Sequence, residues 1–272
     1  MTGKINKKMN IVFQSVCTFL ASTLIFFLSG SLAQADKLQD ILNKRELVVG
    51  VVNDAPPFGF IDKSGNLVGL DIDLANMIAK EMDVKVRLVV VPIPSRIPTL
   101  LTDKVDMIIA VMGSTPQRAL QVMYTNPYVV IDLGVYASDK VAPTTNRADL
   151  AKIKIAVGKG TTSDVWITQN VPGAQLVRFE DAPSAIAAFL AGQTDAFAEG
   201  SNLAATVVQS SGRKDIMMKF SMRQSPVHIA VKHGEINLKN WLDTMLFTQR
   251  IDGKLQDLHI KWFGQVTDIP HM

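Results

Sequence analysis

Cysteine is almost absent from this 272-residue sequence: the single one, Cys17, lies in an apolar stretch near the N-terminus. The rest of the chain has no thiol, which suits an oxidising compartment without any reliance on disulfides. Stability must therefore come from a hydrophobic core, and a chain of this length can bury a large one.

Common signatures of catalysis and metal binding are also missing. The sequence has no G-x-x-x-x-G-K-[ST] phosphate loop and no G-x-S-x-G nucleophile elbow. Asp71-Ile72-Asp73 starts like a calcium loop, but the acidic and glycine positions that should follow are absent. The histidines lack zinc-site spacing; they are His228, His233, His259 and His271. We expect no metal and no cofactor. His228 interrupts an apolar strand and is a candidate to face a cleft, whereas the other three are expected to be solvated.

The N-terminus has the pattern of a cleaved export signal. A basic start, an apolar stretch and a small-residue site follow one another: Lys4, Lys7 and Lys8, then residues 11–28, then Ala33-Gln34-Ala35. We expect cleavage before Asp36 and a location in the periplasm. A membrane anchor is less favoured, because the apolar stretch is near the lower length for a span.

Removal of this signal also changes the charge of the chain. The full sequence has 28 Lys and Arg against 25 Asp and Glu, and the three signal lysines account for the excess. No basic block remains, so neither nucleic acid nor an anionic membrane is expected as a partner.

Short apolar strands alternate with helical segments along the remaining chain, which is typical of an α/β protein with mostly parallel sheets. The predicted strands are Leu47–Val52, Val84–Val91, Met107–Val111, Val129–Tyr136, Ile153–Val157, Ala174–Phe179, Ala196–Ala198 and His228–Val231. The predicted helices are Asp71–Met82, Ile97–Thr102, Thr162–Asn170, Ser184–Ala191, Leu203–Ser210, Leu238–Asp252 and Leu255–Phe263.

The order of these elements favours two lobes over one. The strand at Val129–Tyr136 runs into a polar break, Ser138–Arg147, before a new series begins at Ile153. The last predicted strand, His228–Val231, is followed only by helices. This order is expected of a chain that leaves one lobe, builds a second and returns to the first. The predicted divisions are a signal peptide over 1–35, a first lobe over 36–137, a second lobe over 138–226 and a return to the first lobe over 227–272.

The segment Met112–Arg118 predicts the start of a helix directly after an apolar run. Thr115 is a good N-cap and Pro116 suits the first helical position. Arg118 then lies in the first turn, where the helix dipole mildly disfavours a cation. A bound carboxylate would explain this cation, because a guanidinium can hold it through two parallel hydrogen bonds. From spacing alone, a surface salt bridge is an equal alternative.

A second candidate is the loop Gly158–Asp164, which lies between a predicted strand and a predicted helix. Glycines allow close backbone approach, and free amides with two hydroxyls at a helix start can cradle an anion. Taken alone, an ordinary βα turn with a Thr or Ser cap is the favoured interpretation.

A third candidate is the loop Asn53–Phe60, whose prolines fix the backbone and could present Phe58 or Phe60 to a ligand. A core position is the favoured interpretation for each phenylalanine.

An ordered set of short motifs runs from about Leu47 to Phe263. Its members are Pro56-Pro57-Phe58, Gly65–Leu74, Lys104-Val105-Asp106, Thr115–Arg118, Asn126-Pro127-Tyr128, Gly192–Ala196 and Lys261–Gly264. Each motif is weak alone, but in this order they resemble the family 3 periplasmic solute-binding proteins of amino-acid importers.

The resemblance implies the two-lobed type II periplasmic-binding-protein fold, with two hinge crossings and a ligand in the cleft between the lobes. It implies that Arg118 binds the α-carboxylate of the solute, and that Thr161, Thr162 and Ser163 complete the grip from the second lobe. The protein is then expected to be the periplasmic component of an ABC importer. It would carry an amino acid or related small carboxylate, as a monomer, to a permease in the inner membrane.

The chain departs from the family pattern at three contacts. Ala55 matches the usual aromatic lid, and Gly113 matches a Ser or Thr. Gly200 matches the acid that binds the α-ammonium, with Glu199 one residue earlier. A buried ammonium without an acceptor is unfavourable. Either Asp54 or Glu199 takes over that role, or the ligand lacks a standard α-amino group.

The remaining contacts also come from the resemblance. Ser95–Pro98 resembles the segment by which glutamate- and aspartate-binding members hold a side-chain carboxylate, so two arginines would favour a ligand with two anionic groups. The accompanying histidine is replaced by Ala182. An Arg96 paired with a nearby acid is therefore the favoured interpretation. The candidate ligand contacts are completed by Ala110, Leu70 and Phe58.

Two other functions stay open. Some relatives of this family are dehydratases that act on prephenate-like carboxylates, and a desolvated Glu199 could have the raised pKa of a general acid. No full acid–base constellation is visible, so we predict binding without catalysis. The third possibility is the sensor lobe of a larger receptor, although no span or signalling domain follows Gly264.

Overall fold

A computed structural model describes residues 36–266 of the chain. The predicted signal peptide over 1–35 and His271 lie outside the described residues. Within the described range, no helix combines the length and the apolar character needed to cross a membrane.

The strands form one large mixed sheet and one small antiparallel sheet. They are β1 (Glu46–Val51), β2 (Asp54–Ala55), β3 (Gly59–Ile61), β4 (Leu67–Val68), β5 (Lys85–Val90), β6 (Met107–Ile108), β7 (Val122–Ala137), β8 (Lys154–Gly158), β9 (Gln175–Phe179), β10 (Ala196–Gly200) and β11 (Met217–Lys232). The large sheet has the order β5-β1-β6-β11-β7-β10-β8-β9, and the small one the order β2-β3-β4. The β1–β5, β1–β6, β8–β9 and β8–β10 pairs are parallel, as the alternation of strands and helices predicts.

The helices pack around this sheet. They are α1 (Lys37–Lys44), α2 (Leu70–Glu81), α3 (Arg96–Leu101), α4 (Pro116–Ala119), α5 (Thr162–Asn170), α6 (Ala182–Leu190), α7 (Ser201–Ser211), α8 (Ile236–Ile251) and α9 (Lys254–Phe263). Short 3₁₀ helices span Ile93–Ser95 and Arg147–Lys152. Each helix predicted from the sequence is present within two residues of its predicted bounds, whereas α1 was not predicted.

Two long strands, β7 and β11, connect the halves of the large sheet. Each has 16 residues, and they pair antiparallel along their length. On one side of this pair lie β6, β1 and β5, and on the other lie β10, β8 and β9. The chain thus crosses twice between two groups of βα elements. This is the two-lobed α/β architecture of the type II periplasmic binding proteins.

Both long strands extend well beyond their predicted limits. The predictions of Val129–Tyr136 and His228–Val231 cover only parts of β7 and β11. Polar residues and prolines in the other parts, such as Asn126-Pro127 and Gln224–Pro226, break the apolar pattern of a buried strand. Because the two strands satisfy each other's backbone groups, their pairing overrides this weak local propensity.

One histidine prediction is wrong. His259 was expected to be solvated, yet it is 1% exposed and its Nε2 lies 2.8 Å from the carbonyl oxygen of Tyr128. His259 is buried because it lies on the inner face of α9, and the residue type alone does not reveal this position. His233 is exposed, as predicted.

The loop after β1 packs against the C-terminal helix. The Phe58 ring lies 5.5 Å from that of Phe263, edge to face, and is almost fully buried. The indole Nε1 of Trp262 donates to Asp73 Oδ2 at 2.7 Å. Leu70 is also fully buried. The core role favoured for Phe58 is confirmed, and neither Phe58 nor Leu70 enters the ligand site proposed below.

Gly69, which precedes α2, provides a test of this packing. Its φ is +140°, and a Cβ there would lie 2.0 Å from the carbonyl oxygen of Phe58. We expect Gly69→Ala to lower the free energy of unfolding by about 3 kcal/mol, since the neighbouring backbone must move. Urea denaturation measures this change.

Gly65→Ala is the matched control, because Gly65 also has a positive φ, +84°, but has nothing within 4 Å of its Cβ position. The substitution should then lower the free energy of unfolding by about 1 kcal/mol, because a residue with a side chain disfavours the left-handed backbone. Equal losses in the two variants would contradict the steric explanation for Gly69.

Candidate functional site

The local structure around Arg118 is the one that the sequence predicts. Thr115 caps α4, since its Oγ1 accepts from the backbone N–H of Arg118 at 3.2 Å, and Pro116 is the first helical residue. The Arg118 side chain then turns back over the segment Met112–Ser114 toward the second group of elements.

The guanidinium of Arg118 bridges the two groups of elements. Its Nη1 donates to the carbonyl of Gly113 at 2.7 Å and to Thr162 Oγ1 at 3.2 Å, and its Nη2 donates to the carbonyl of Gly160 at 2.7 Å. The side chain is 8% exposed, and burial lowers its pKa. It makes no ion pair with an acid of residues 36–266, so the surface salt bridge considered from spacing is wrong.

Arg96 lies beside Arg118 and is also buried. It donates to the carbonyls of Ile93 at 3.0 Å, Ala110 at 2.6 Å and Val111 at 3.1 Å, and more weakly to Gly160 at 3.4 Å. Burial, reinforced by the neighbouring Arg118 charge, lowers its pKa to about 9. The favoured pairing of Arg96 with a nearby acid is therefore wrong within the described chain, because its partners are backbone carbonyls. Ala110 takes part through its carbonyl oxygen.

The carbonyls that bind Arg96 belong to a strained turn held by Asp71. Val111 has a φ of +48°, which is rare for a β-branched residue. Its N–H donates to Asp71 Oδ2 at 3.0 Å, while the hydroxyl of Tyr128 donates to Asp71 Oδ1 at 2.6 Å. Burial raises the pKa of Asp71 to about 6. Sequence reasoning considered Asp71 only as a calcium ligand and missed this role.

The loop Gly158–Asp164 forms the opposite wall. Thr161 is the N-cap of α5, as predicted, and accepts from the N–H of Asp164 at 3.1 Å. Asp164 in turn accepts from the N–H of Gly160 at 3.0 Å and from Arg178 Nε at 2.8 Å. These bonds fix the carbonyl of Gly160 toward the two arginines. Ser163 is buried beside them, and its hydroxyl has no hydrogen-bond partner in the described chain.

Gly113 allows the two walls to approach each other. A Cβ at this position would lie 2.6 Å from Ser225 Oγ on β11 and 2.7 Å from Thr162 Oγ1 on α5. A side chain here would therefore collide with hydroxyls from two directions. The chain departs from the family pattern at Gly113, and a Ser or Thr side chain there would collide with Ser225 and Thr162, which are distant in sequence.

Two carboxyl groups, those of Asp54 and Glu199, interact electrostatically with Arg96. Burial raises the pKa of Glu199 to about 7, although its Oε1 accepts from the N–H of Gly200 at 3.0 Å. Burial also raises the pKa of Asp54, and the charge of Asp181 adds to this effect. Asp54 raises the pKa of Glu199 and Arg96 lowers it, so these groups share one electrostatic environment. Gly200 itself is buried and carries no side chain.

Several buried polar atoms near this cluster have no hydrogen-bond partner in the described chain. They are Tyr124 Oη, Ser163 Oγ, Ser225 Oγ and His228 Nε2. The His228 ring lies 5.4 Å from that of Tyr124, its Nδ1 lies 2.8 Å from the carbonyl oxygen of Thr125, and burial lowers its pKa. Unpaired buried polar groups are unusual in folded proteins and often mark a binding site. Sequence reasoning missed Tyr124 and Ser225, because neither lies in a recognisable motif.

The site has the character of a binding cleft for a small polar molecule. It combines two buried arginines with hydroxyls that lack a partner in the described chain, and two carboxyl groups interact with Arg96. Among residues 36–266, no group of three His, Cys, Asp or Glu side chains is placed to hold a metal ion.

The profile of the bacterial extracellular solute-binding proteins, family 3, matches residues 47–265. The chain belongs to this family. Members of this family bind solutes outside the cytoplasm, and the two-lobed fold and the arginine-lined cleft agree with membership.

Named relatives extend this comparison. An L-cystine-binding protein of Escherichia coli K12 is 24% identical over 86% of this chain and 88% of its own. The crystal structure of a mutant of ArgBP from T. maritima superposes with a TM-score of 0.78 at 29% identity, covering 84% of this chain and all of that one. The ancestral amino-acid-binding protein AncCDT-1, a precursor of cyclohexadienyl dehydratase, superposes with a TM-score of 0.76 at 31% identity, covering 83% and 99%.

Glu199 gives a prediction for the pH dependence of stability. Its pKa rises from 4.5 to about 7 on folding, so the folded state binds more protons than the unfolded state between these values. The free energy of unfolding should then fall as the pH rises from about 4.5 to about 7. Glu199→Gln cannot ionise and should make this decline shallower, as urea denaturation across the range would measure.

Asp71 contributes a decline of the same sign, so the comparison is between the variant and the wild type. Glu180→Gln serves as the control, because Glu180 is an exposed glutamate of the same group of elements. Identical slopes for Glu199→Gln and the wild type would contradict the assigned burial of Glu199.

Proposed function

We propose that this protein captures an amino acid or a closely related small carboxylate in the periplasm and delivers it to an ABC permease in the inner membrane. The observation that carries the proposal is the buried guanidinium of Arg118, which reaches both walls of the cleft without an acid among its described partners. A buried cation of this kind is stabilised by an anion that arrives with the ligand. The relatives named above are binding proteins for amino acids that carry an α-carboxylate.

In the proposed mode of binding, the carboxylate takes two parallel hydrogen bonds from Arg118. Thr161, Thr162 and Ser163 at the start of α5 add hydroxyl and amide donors from the second lobe, where the helix dipole also favours an anion. Closure brings residues 138–226 against residues 36–137 and 227–266 by bending of β7 and β11. Arg96 supports the carbonyls of the turn at Ala110 and adds positive charge.

The positive end of the ligand is assigned to Asp54 and Glu199. Gly200 offers no carboxyl group, while Glu199 precedes it and interacts electrostatically with Asp54. An ammonium group between the two would favour their ionised forms and lower the raised pKa of Glu199. Ligand binding should then release a proton below about pH 7. This arrangement fits a zwitterionic ligand and resolves the departure at Gly200 without loss of the amino group.

Binding without turnover completes the proposal. The exported protein acts as a monomer, after removal of residues 1–35, with neither nucleic acid nor membrane lipid as a partner. Mass spectrometry of any small molecule released on denaturation would identify the solute directly.

Arg118→Ala is the decisive variant. A panel of L-amino acids, L-cystine, dicarboxylates and opine-like compounds is expected to raise the melting temperature of the wild type for at least one compound. Loss of the buried charged partner should weaken that binding by about 2 kcal/mol or more, roughly thirtyfold. Isothermal titration calorimetry measures the loss.

Two further variants separate charge from geometry. Arg118→Lys keeps the charge but not the planar fork, so its affinity should fall between those of the wild type and Arg118→Ala. Arg213→Ala is the control, because Arg213 pairs with Asp215 away from the cleft. An undiminished response in Arg118→Ala would refute the role of Arg118, and a wild type that responds to no carboxylate would refute the ligand class.

A second function, dehydration of a prephenate-like carboxylate, is favoured by one observation. Desolvation raises the pKa of the half-buried Glu199 to about 7, which suits proton donation to a leaving hydroxyl near neutral pH. AncCDT-1, which is described as a precursor of a dehydratase, is also similar in structure. We expect no aromatic product when the purified protein is incubated with prephenate. Formation of product by the wild type, abolished in Glu199→Gln, would replace the binding proposal with this one.

A further inference from the structure

We propose that Ser225, on the crossing strand β11, is a ligand-binding residue whose hydroxyl donates to the anionic group held by Arg118. This inference rests on the proposed function and extends the site to a strand that otherwise acts only as a connection.

The first observation is the position of the hydroxyl. Ser225 Oγ lies 2.6 Å from the point that a Cβ of residue 113 would occupy, and Thr162 Oγ1 lies 2.7 Å from the same point. The two hydroxyls, one on β11 and one on α5, therefore lie beside the space that a side chain of residue 113 would fill. The absence of a side chain at Gly113 leaves this space to Ser225.

The second observation is the proximity of this point to Arg118. The same Nη1 that donates to Thr162 Oγ1 also donates to the carbonyl of Gly113. The guanidinium thus contacts Gly113 and one of the two hydroxyls that flank it. An anion bound to Arg118 beside Thr162 lies within reach of the other hydroxyl, that of Ser225.

The third observation is that Ser225 lacks a protein partner. It is 1% exposed, and its Oγ has no hydrogen-bond partner in the described part of the chain. A buried hydroxyl without a partner is unfavourable, whereas a hydrogen bond to a charged group is among the stronger ones. A ligand anion would supply the missing acceptor.

The strand around Ser225 is held against the same turn. Arg223, two residues earlier and hence on the same face of β11, donates to the carbonyl of Ser114 at 3.1 Å. Gly113 forms an isolated antiparallel bridge with Val227. These contacts hold the hydroxyl of Ser225 at the turn Gly113–Ser114, and the nearby Arg223 charge adds to the positive potential at Arg118.

The test compares Ser225→Ala with the wild type in two measurements. The first is the melting temperature without added ligand, which should be unchanged or higher, because the variant removes an unpaired buried hydroxyl. The second is the affinity for the panel compound that shifts the wild type most, which should fall roughly tenfold or more. A residue with a purely structural role would not combine these two results.

Thr194→Val is the matched control. Thr194 is also a buried residue whose hydroxyl lacks a partner in the described chain, but it precedes β10 at the end opposite Glu199. Its variant should keep the affinity of the wild type. Equal losses of affinity in both variants would overturn the specific role of Ser225.

The outcomes for Ser225 and for the proposed function are distinguishable. A wild-type response that Ser225→Ala leaves intact would overturn the role of Ser225 and leave the binding function standing. A lower melting temperature of the variant without ligand, with the affinity retained, would assign Ser225 to stability instead. Failure of every panel compound to shift the wild type would overturn both proposals.

Discussion

The contact between the Arg118 guanidinium and the Gly160 carbonyl is the interaction on which the organisation of the cleft depends. It joins a helix start in one lobe to a loop in the other at 2.7 Å. Arg96 points at the same carbonyl, so two positive charges are brought together in a buried place. Such an arrangement is tolerable because carbonyl dipoles surround both cations. The combined positive charge of the two arginines favours an anion at this point and disfavours a further cation.

The carboxyl groups of Asp54 and Glu199 interact electrostatically with Arg96. Their raised pKa values arise mainly from burial; the charge of Asp181 adds to the raised pKa of Asp54, and the charge of Asp54 adds to that of Glu199. The charge of Arg96 lowers the pKa of both acids, so the arginines and the carboxyl groups belong to one electrostatic environment. In the proposed binding mode, a zwitterion would bring an ammonium group to these acids, which a simple anion would not.

Much of the fold follows from the sequence, because βα alternation and helix caps are local properties. The N-cap Thr115 is predictable from residue type, and so are the bounds of the helices other than α1 to within two residues. The long strands β7 and β11 are not, since their stability comes from pairing with each other over many residues.

The candidate site could be predicted only in part, because some of its contacts have no local sequence pattern. The charge of Arg118 at a helix start left a surface salt bridge as an equal alternative, and the family resemblance decided in favour of binding. The same resemblance pointed to Glu199, because it adjoins a position where an acid is expected. The partners of Arg96 could not be predicted, because backbone carbonyls carry no signature in a sequence. Ser225 could not be predicted either. Its proposed role depends on the missing side chain of Gly113, which lies 112 positions away in the sequence and is brought close only by folding.

The pairing of β7 with β11 has a mechanical consequence. Two strands joined by a ladder of hydrogen bonds cannot slide past each other without breaking that ladder, so relative motion of the lobes is restricted to bending and twisting. The register shifts in β11 interrupt the ladder on both sides of the segment Arg223–Val227, which is itself regular. Flexibility is thus concentrated at the irregular positions, where a strand bends most easily. The regular segment between them, which carries Ser225, should then move as one unit when the strands bend.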